Sequence, residues 1–189
     1  MKSIIVSLII CVSLSGNLCG QDALSWQKYK DSVAGLSLLF PTSDLLFHTD
    51  TLSTAMGDIE YHTVLHHSEE EKGVSIYKVS YCDYPKETIH HDSVELLQEF
   101  FKATVESSVE SVDGELVYES SMQILGAPGM VWRINYNKGK AVLHSRAFVI
   151  DNRYYLIQSA APRAYALSPE METFFNSLRM IERSESTGD

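Results

Sequence analysis

The chain has 189 residues, 44% hydrophobic and 21% charged, and 25 acidic against 15 basic residues give a net charge of −10. That length suits one domain with a sizeable core. The acidity argues against a nucleic-acid partner and against anionic lipid surfaces, both of which need clustered Lys and Arg; its ordinary use is solubility.

The first twenty residues carry a leader pattern: Lys2, then Ile4-Ile5-Val6, Leu8-Ile9-Ile10, Val12 and Leu14, then Ser15-Gly16-Asn17. A positive start, a short apolar stretch and a small-residue exit mark a secretory signal peptide. The stretch falls short of the roughly 17–25 residues that a spanning helix needs, and no later segment reaches that length. Cleavage is expected near Leu18-Cys19-Gly20, leaving Gln21 first and an exported protein, periplasmic or secreted. The alternative is an outer-surface lipoprotein anchored through Cys19, although Leu18 is larger than the small residue such a signal wants before its cysteine. Without Lys2 the mature balance is 14 basic against 25 acidic residues, or −11. Of the three cysteines only Cys82 remains, so no internal disulfide is expected and packing must hold the core. A buried, inert thiol is its expected state.

Residues 21–34 read as a polar lead-in with a short helix around Trp26 and Tyr29. Gly35-Leu36-Ser37-Leu38-Leu39-Phe40 reads as a first strand stopped by Pro41, and a short strand is expected near 51–55. Residues 58–67 alternate, with Ile59, Tyr61, Thr63 and Leu65 on one face and Glu60, His62, Val64 and His66 on the other, the period of a strand. After a charged connection at 68–73, residues 74–84 return, rich in Val, Ile and Tyr, and complete an antiparallel hairpin.

Asp92 is the expected N-cap of a helix, with Glu95 three residues on as in a capping box. Val94, Leu97, Phe101 and Val105 follow helical spacing, widened by Leu96 and Phe100. Strands are expected at 115–125, 130–136, 141–150 and 153–160, with turns at Gly126-Ala127-Pro128-Gly129, Asn137-Lys138-Gly139 and Asp151-Asn152. Ser168 caps a last helix with Pro169 at its first position and Met171, Phe174, Phe175 and Leu178 facing inward. The tail from Glu182 is polar and expected to fray. The plan is a signal peptide at 1–20, a lead-in at 21–34, one domain at 35–182 and a polar tail at 183–189. Short connections favour antiparallel neighbours, so the fold class is α+β, a mostly antiparallel β-sheet flanked by helices.

Phe40-Pro41 closing an early strand, Asp83-Tyr84-Pro85 closing a Tyr-rich hairpin, Leu125-Gly126-Ala127-Pro128-Gly129, Asp151-Asn152-Arg153-Tyr154-Tyr155 and Phe174-Phe175-Asn176-Ser177-Leu178 occur in that order. Over about residues 33–182 this pattern resembles the PsbP-like (Mog/PsbP) fold of small exported bacterial proteins. The resemblance implies an antiparallel sheet flanked by helices, an α/β/α sandwich, and a non-catalytic role. PsbP is an extrinsic photosystem subunit, and the Mog branch binds a small GTPase. No functional residue carries over, because no site motif matches.

Chemistry-bearing residues are few. Seven histidines are present. His62 and His66 point the same way on one strand, and with an imidazole preference for Zn or Cu they are the candidate metal ligands. Their α-carbons lie about 13 Å apart on a regular strand, too far for one ion without a bulge. His90 and His91 precede the helix, and His-Glu-x-x-His is absent. There is no Gly-x-Ser-x-Gly and no phosphate-cradling glycine loop, so no cofactor is expected. Glu69-Glu70-Glu71 lacks the spaced oxygens of a calcium loop. Packing is the default use of strand aromatics; the alternative is a partner or ligand surface made by Tyr77, Tyr81, Tyr154 and Tyr155. Tyr154 and Tyr155 point to opposite faces, so at least one is expected to be exposed.

Three functions follow as expectations. The first is an exported, non-catalytic binding or accessory protein acting through protein contact. The second is a small-molecule or lipid-binding module with a pocket between sheet and helix. The third is an enzyme using histidine and Cys82.

Overall fold

Strands with short connections dominate a computed structural model of the protein, which describes residues 26–41, 44–54, 57–67, 76–86, 88–89 and 92–184. The leader with its cleavage region and Cys19, the Glu69-Glu70-Glu71 hairpin tip, His90 and His91, and residues 185–189 lie outside the described residues.

The chain runs β1 (Gln27–Asp31), β2 (Leu36–Phe40), β3 (Leu46–Thr54), β4 (Gly57–His67), β5 (Ile76–Asp83), α1 (Val94–Ser111), β6 (Glu115–Ile124), β7 (Ala127–Tyr136), β8 (Ala141–Ile150), β9 (Arg153–Pro162), α2 (Pro169–Asn176) and β10 (Arg179–Met180). Seven strands form one sheet in the order β3-β4-β5-β9-β8-β7-β6, and every neighbouring pair is antiparallel. Three more form a small sheet, β1-β2-β10. The α1 helix is the long crossover: it carries the chain from β5 to the far edge, from which β6, β7, β8 and β9 return strand by strand.

The large sheet is buried on both faces by different layers. Leu97, Phe101 and Val105 of α1 pack on Cys82, Trp132, Ile134, Val149 and Tyr154. On the other face, Leu36, Leu38 and Phe40 of β2 and Phe174 and Phe175 of α2 pack on Tyr77, Val79, Phe148, Tyr155 and Ile157. Successive residues of β5 and β9 therefore alternate between two cores, as a strand's period of two requires.

Several turns follow the sequence closely. Asn137, Lys138 and Gly139 all take positive φ, as does Asp151. Ser168 accepts from the Met171 amide and Pro169 opens α2. Elsewhere the structure corrects the expectations. Trp26 and Tyr29 do not form a helix; residues 27–31 make β1, paired with β2. Asp31 stops that strand by accepting from the Val33 and Ala34 amides at 2.9 and 2.8 Å. The strand expected near 51–55 begins earlier and fills Leu46–Thr54.

Ser93, not Asp92, occupies the N-cap of α1, without a side-chain cap hydrogen bond. Val94 and Leu96 are exposed, so the buried stripe narrows to Leu97, Phe101 and Val105. The turn after β6 is Leu125-Gly126, both at positive φ, and Ala127, Pro128 and Gly129 already belong to β7. A Cβ on Gly129 would stand 2.5 Å from the Ala147 carbonyl oxygen, so glycine there serves close strand packing. The tail does not fray at Glu182: the Ser184 amide donates to Ser32, and Arg183 pairs with Asp151 at 2.7 Å.

Candidate functional site

Helix α1 crosses the sheet obliquely. Near its start Phe100 lies edge-on to Tyr84 and Tyr154, and its end rests over β6 and β7. A Cβ on Gly114, just past that end, would stand 2.4 Å from Ile134 Cγ2, so the chain leaves α1 pressed against β7. The opposite corner of the face, where β4 ends and β5 begins, is not covered by α1.

A cleft of about 550 Å³ occupies that corner. Leu46, Leu65, Ile76 and Leu143 supply apolar wall, and Ser111 and Val112 at the end of α1 close one side. Its floor contains Lys78 and Gln158. These two are directly opposed on β5 and β9, in a row that runs Leu46, Leu65, Lys78, Gln158, Ser145 across five strands. The Gln158 amide donates to Ser145 Oγ at 3.0 Å, so that end of the row is satisfied internally. Lys78 is half-buried and has no hydrogen-bond or ion-pair partner among the described residues. Burial holds its ammonium below the usual lysine range.

Lys78 was not singled out from the sequence. The available signal was its position: a single cation inside the otherwise core-like run Ile76-Tyr77-Lys78-Val79-Ser80-Tyr81-Cys82.

The tyrosine surface does not form. Tyr77, Tyr81, Tyr154 and Tyr155 are only 3%, 8%, 4% and 0% exposed. Tyr154 and Tyr155 do point to opposite faces, but each face is covered, so neither reaches solvent. Tyr155 donates to the Ala34 carbonyl at 2.7 Å, and Tyr81 lies under the Arg153 guanidinium. These four are core residues.

His62 stacks on Tyr81 with ring centroids 4.8 Å apart, and its Nδ1 lies 3.1 Å from Thr49 Oγ1. His66 is two residues further along the same face of β4 from Val64. Among the described residues, no group of three or more His, Cys, Asp or Glu is placed to hold a metal ion. Cys82 is buried, and desolvation first, then the Asp83 charge, pushes its thiol up to about 12. His144 lies on the opposite face of the sheet from Cys82, so these two are not a nucleophile and its base.

On the α2 side, Arg133, His144 and Ser159 occupy neighbouring positions on β7, β8 and β9, and Arg133 Nε, His144 Nε2 and Ser159 Oγ are buried without partners among the described residues. Burial, helped by Arg133, lowers the His144 pKa, which keeps the ring neutral near physiological pH. Three adjacent unpaired polar atoms fit internal hydration.

No protein-family model matches the chain, and no curated protein matches it in sequence. Among solved structures the chain is similar to cyanobacterial PsbP (CyanoP) from Synechocystis sp. PCC 6803, with a TM-score of 0.52 and 14% identity over 86% of this chain and 96% of that one. At that identity the likeness establishes the fold: this is a PsbP-like α+β fold. No described helix is long and apolar enough to cross a membrane.

Proposed function

We propose that the protein is an exported, non-catalytic binding module that holds a small apolar or amphiphilic ligand in the cleft between α1 and the sheet. One observation carries this reading: the cleft is lined by leucine and isoleucine, and its volume of about 550 Å³ lies within the range of about 300–1,000 Å³ typical of small-molecule sites. The leader pattern supports work outside the cytoplasm. The test is a titration with N-phenylnaphthylamine, a neutral apolar fluorophore. A single saturable site, lost in Ser111→Trp and Val112→Trp variants that unfold like wild type, is expected. Saturable binding untouched by both variants, or no binding, overturns the reading.

A second reading, contact with another protein, rests on β3. This edge strand is exposed along nearly its whole length, and Phe47 is 63% exposed, with Leu46 and Leu52 also exposed. Exposed edges are templates for strand addition. Replacing Thr51 with Pro would block an added strand, and an unchanged set of cross-linked partners would end this reading.

A further inference from the structure

The geometry points to a single-chain aliphatic carboxylate, of the fatty-acid kind, as the ligand of the α1–sheet cleft, its carboxylate on Lys78 Nζ and its chain along Leu46, Leu65, Ile76 and Leu143. This rests on the ligand-binding reading above and specifies the ligand's chemistry.

The argument is one of charge complementarity in an apolar setting. A half-buried ammonium ordinarily faces an acidic partner, because desolvating an unpaired charge is costly. Lys78 has none among the described residues; its cross-strand neighbours are Leu65 and Gln158. Burial disfavours its charged form, and no carboxylate among the described residues compensates. A neutral ligand would desolvate the ammonium further and give nothing back. A cationic ligand would be repelled. A carboxylate supplies one charge and two acceptor oxygens, and forms a charge-assisted hydrogen bond at an ammonium already half-buried among apolar side chains. Lys78 and His67 are the basic groups of the lining, and the single lysine charge favours a carboxylate over a phosphate dianion. The walls ask for a chain as well as a head: apolar side chains from β3, β4, β5 and β8 surround the lysine, and burying an aliphatic chain on them provides the bulk of the affinity. The site is a concave cleft rather than a flat basic face, and the chain is acidic overall, so the occupant is a free amphiphile and not a bilayer surface.

The experiment compares dodecanoate with dodecanol, both below micellar concentration, by calorimetric titration into the purified chain and into Lys78→Met and Lys78→Gln variants. Wild type is expected to bind one dodecanoate at least about tenfold more tightly than dodecanol, a head-group preference that charge-assisted hydrogen bonding supports. Both variants are expected to lose that preference while retaining dodecanol. Equal affinity of wild type for the two compounds overturns the carboxylate assignment and leaves the cleft reading standing. Dodecanoate preference that survives in both variants also overturns it, since another cation would then hold the head. Failure of both compounds to bind, or binding unchanged by Ser111→Trp, overturns the cleft reading itself. The wild-type comparison needs no variant, so misfolding of either substitution would not blur the result.

Discussion

Arg153 and Asp83 face each other across β9 and β5 and form a two-pronged ion pair, Nε to Oδ1 at 2.6 Å and Nη2 to Oδ2 at 2.5 Å. The same guanidinium donates to the Val33 carbonyl and lies over the Tyr81 ring. One buried arginine thus ties the β1–β2 hairpin to the large sheet, while Tyr155 donates to Ala34 alongside it. Asp83 is half-exposed, which limits the Coulombic gain; the Arg153 side chain is 9% exposed, which makes losing the partner costly.

Replacing Asp83 with Ala is expected to cost about 2 kcal/mol, because Arg153 is left buried with only part of its hydrogen bonding. Urea unfolding with tryptophan fluorescence measures it. A loss below about 0.5 kcal/mol, the size of an ordinary surface change, would show that the pair does not anchor the hairpin.

The face of α1 gives an internal control. Phe101→Ala should cost about 3–5 kcal/mol by opening a cavity against the sheet, and Val94→Ala should stay within about 0.5 kcal/mol. Sequence spacing places both on one stripe; the structure buries Phe101 and leaves Val94 64% exposed. Similar costs at the two positions would contradict this placement of the helix.

Cys82 should resist thiol reagents in the native state at about pH 8.5, where an ordinary free cysteine is half ionised. Its thiol is buried and pushed up to about 12. Labelling is expected only as fast as global unfolding, followed by mass spectrometry with and without denaturant. Rapid native labelling would place Cys82 at the surface.

Stability should fall at alkaline pH. Burial pushes Tyr61, Tyr81 and Tyr84 up to about 12 from an ordinary 10.0, and Cys82 to about 12 from 9.0. These acids ionise earlier in the unfolded chain than in the fold. Their contribution is therefore complete below about pH 9, and it is lost as pH rises through about 12. Lys78 and Arg146 act in the opposite sense, since burial lowers both and lets the folded state shed their protons first, but the raised acids, with Tyr136, Tyr154 and Tyr155 among them, outnumber these two. Thermal melts across that range test the sign, and a Tm that holds or rises up to pH 12 would refute it.

In the ligand-free protein, Lys78→Met should raise Tm by a few degrees, because it removes a desolvated charge that has no partner among the described residues while keeping the apolar stem. Differential scanning calorimetry reads this directly. A lowered Tm would mean that Lys78 has a stabilising partner and that the cleft is not waiting for an anion.

Much of the fold was legible because it rests on local rules. The alternation in β4 appears wherever one face of a strand is more apolar than the other. Ser168 before Pro169, and the positive-φ turns at Asn137-Lys138-Gly139 and Asp151, are choices settled within a few residues. The strand at Gln27–Asp31 was not legible, because a five-residue polar segment has no strand preference of its own until β2 offers its edge. Pro128 and Gly129 read as a turn by type, yet the Leu125-Gly126 corner had already reversed the chain.

By itself, then, the amino-acid sequence determined an α+β chain of antiparallel hairpins, with its helix faces, most of its turns and a leader pattern, since periodicity and turn chemistry act between near neighbours. Only the tertiary structure decided which strand faces meet water. Two covering layers, the small sheet with α2 and the oblique α1, bury Tyr154 and Tyr155 on opposite sides and leave one corner open. Exposure at any one strand position depends on what packs above it from distant parts of the chain, and the cleft around Lys78 exists because α1 passes that corner by.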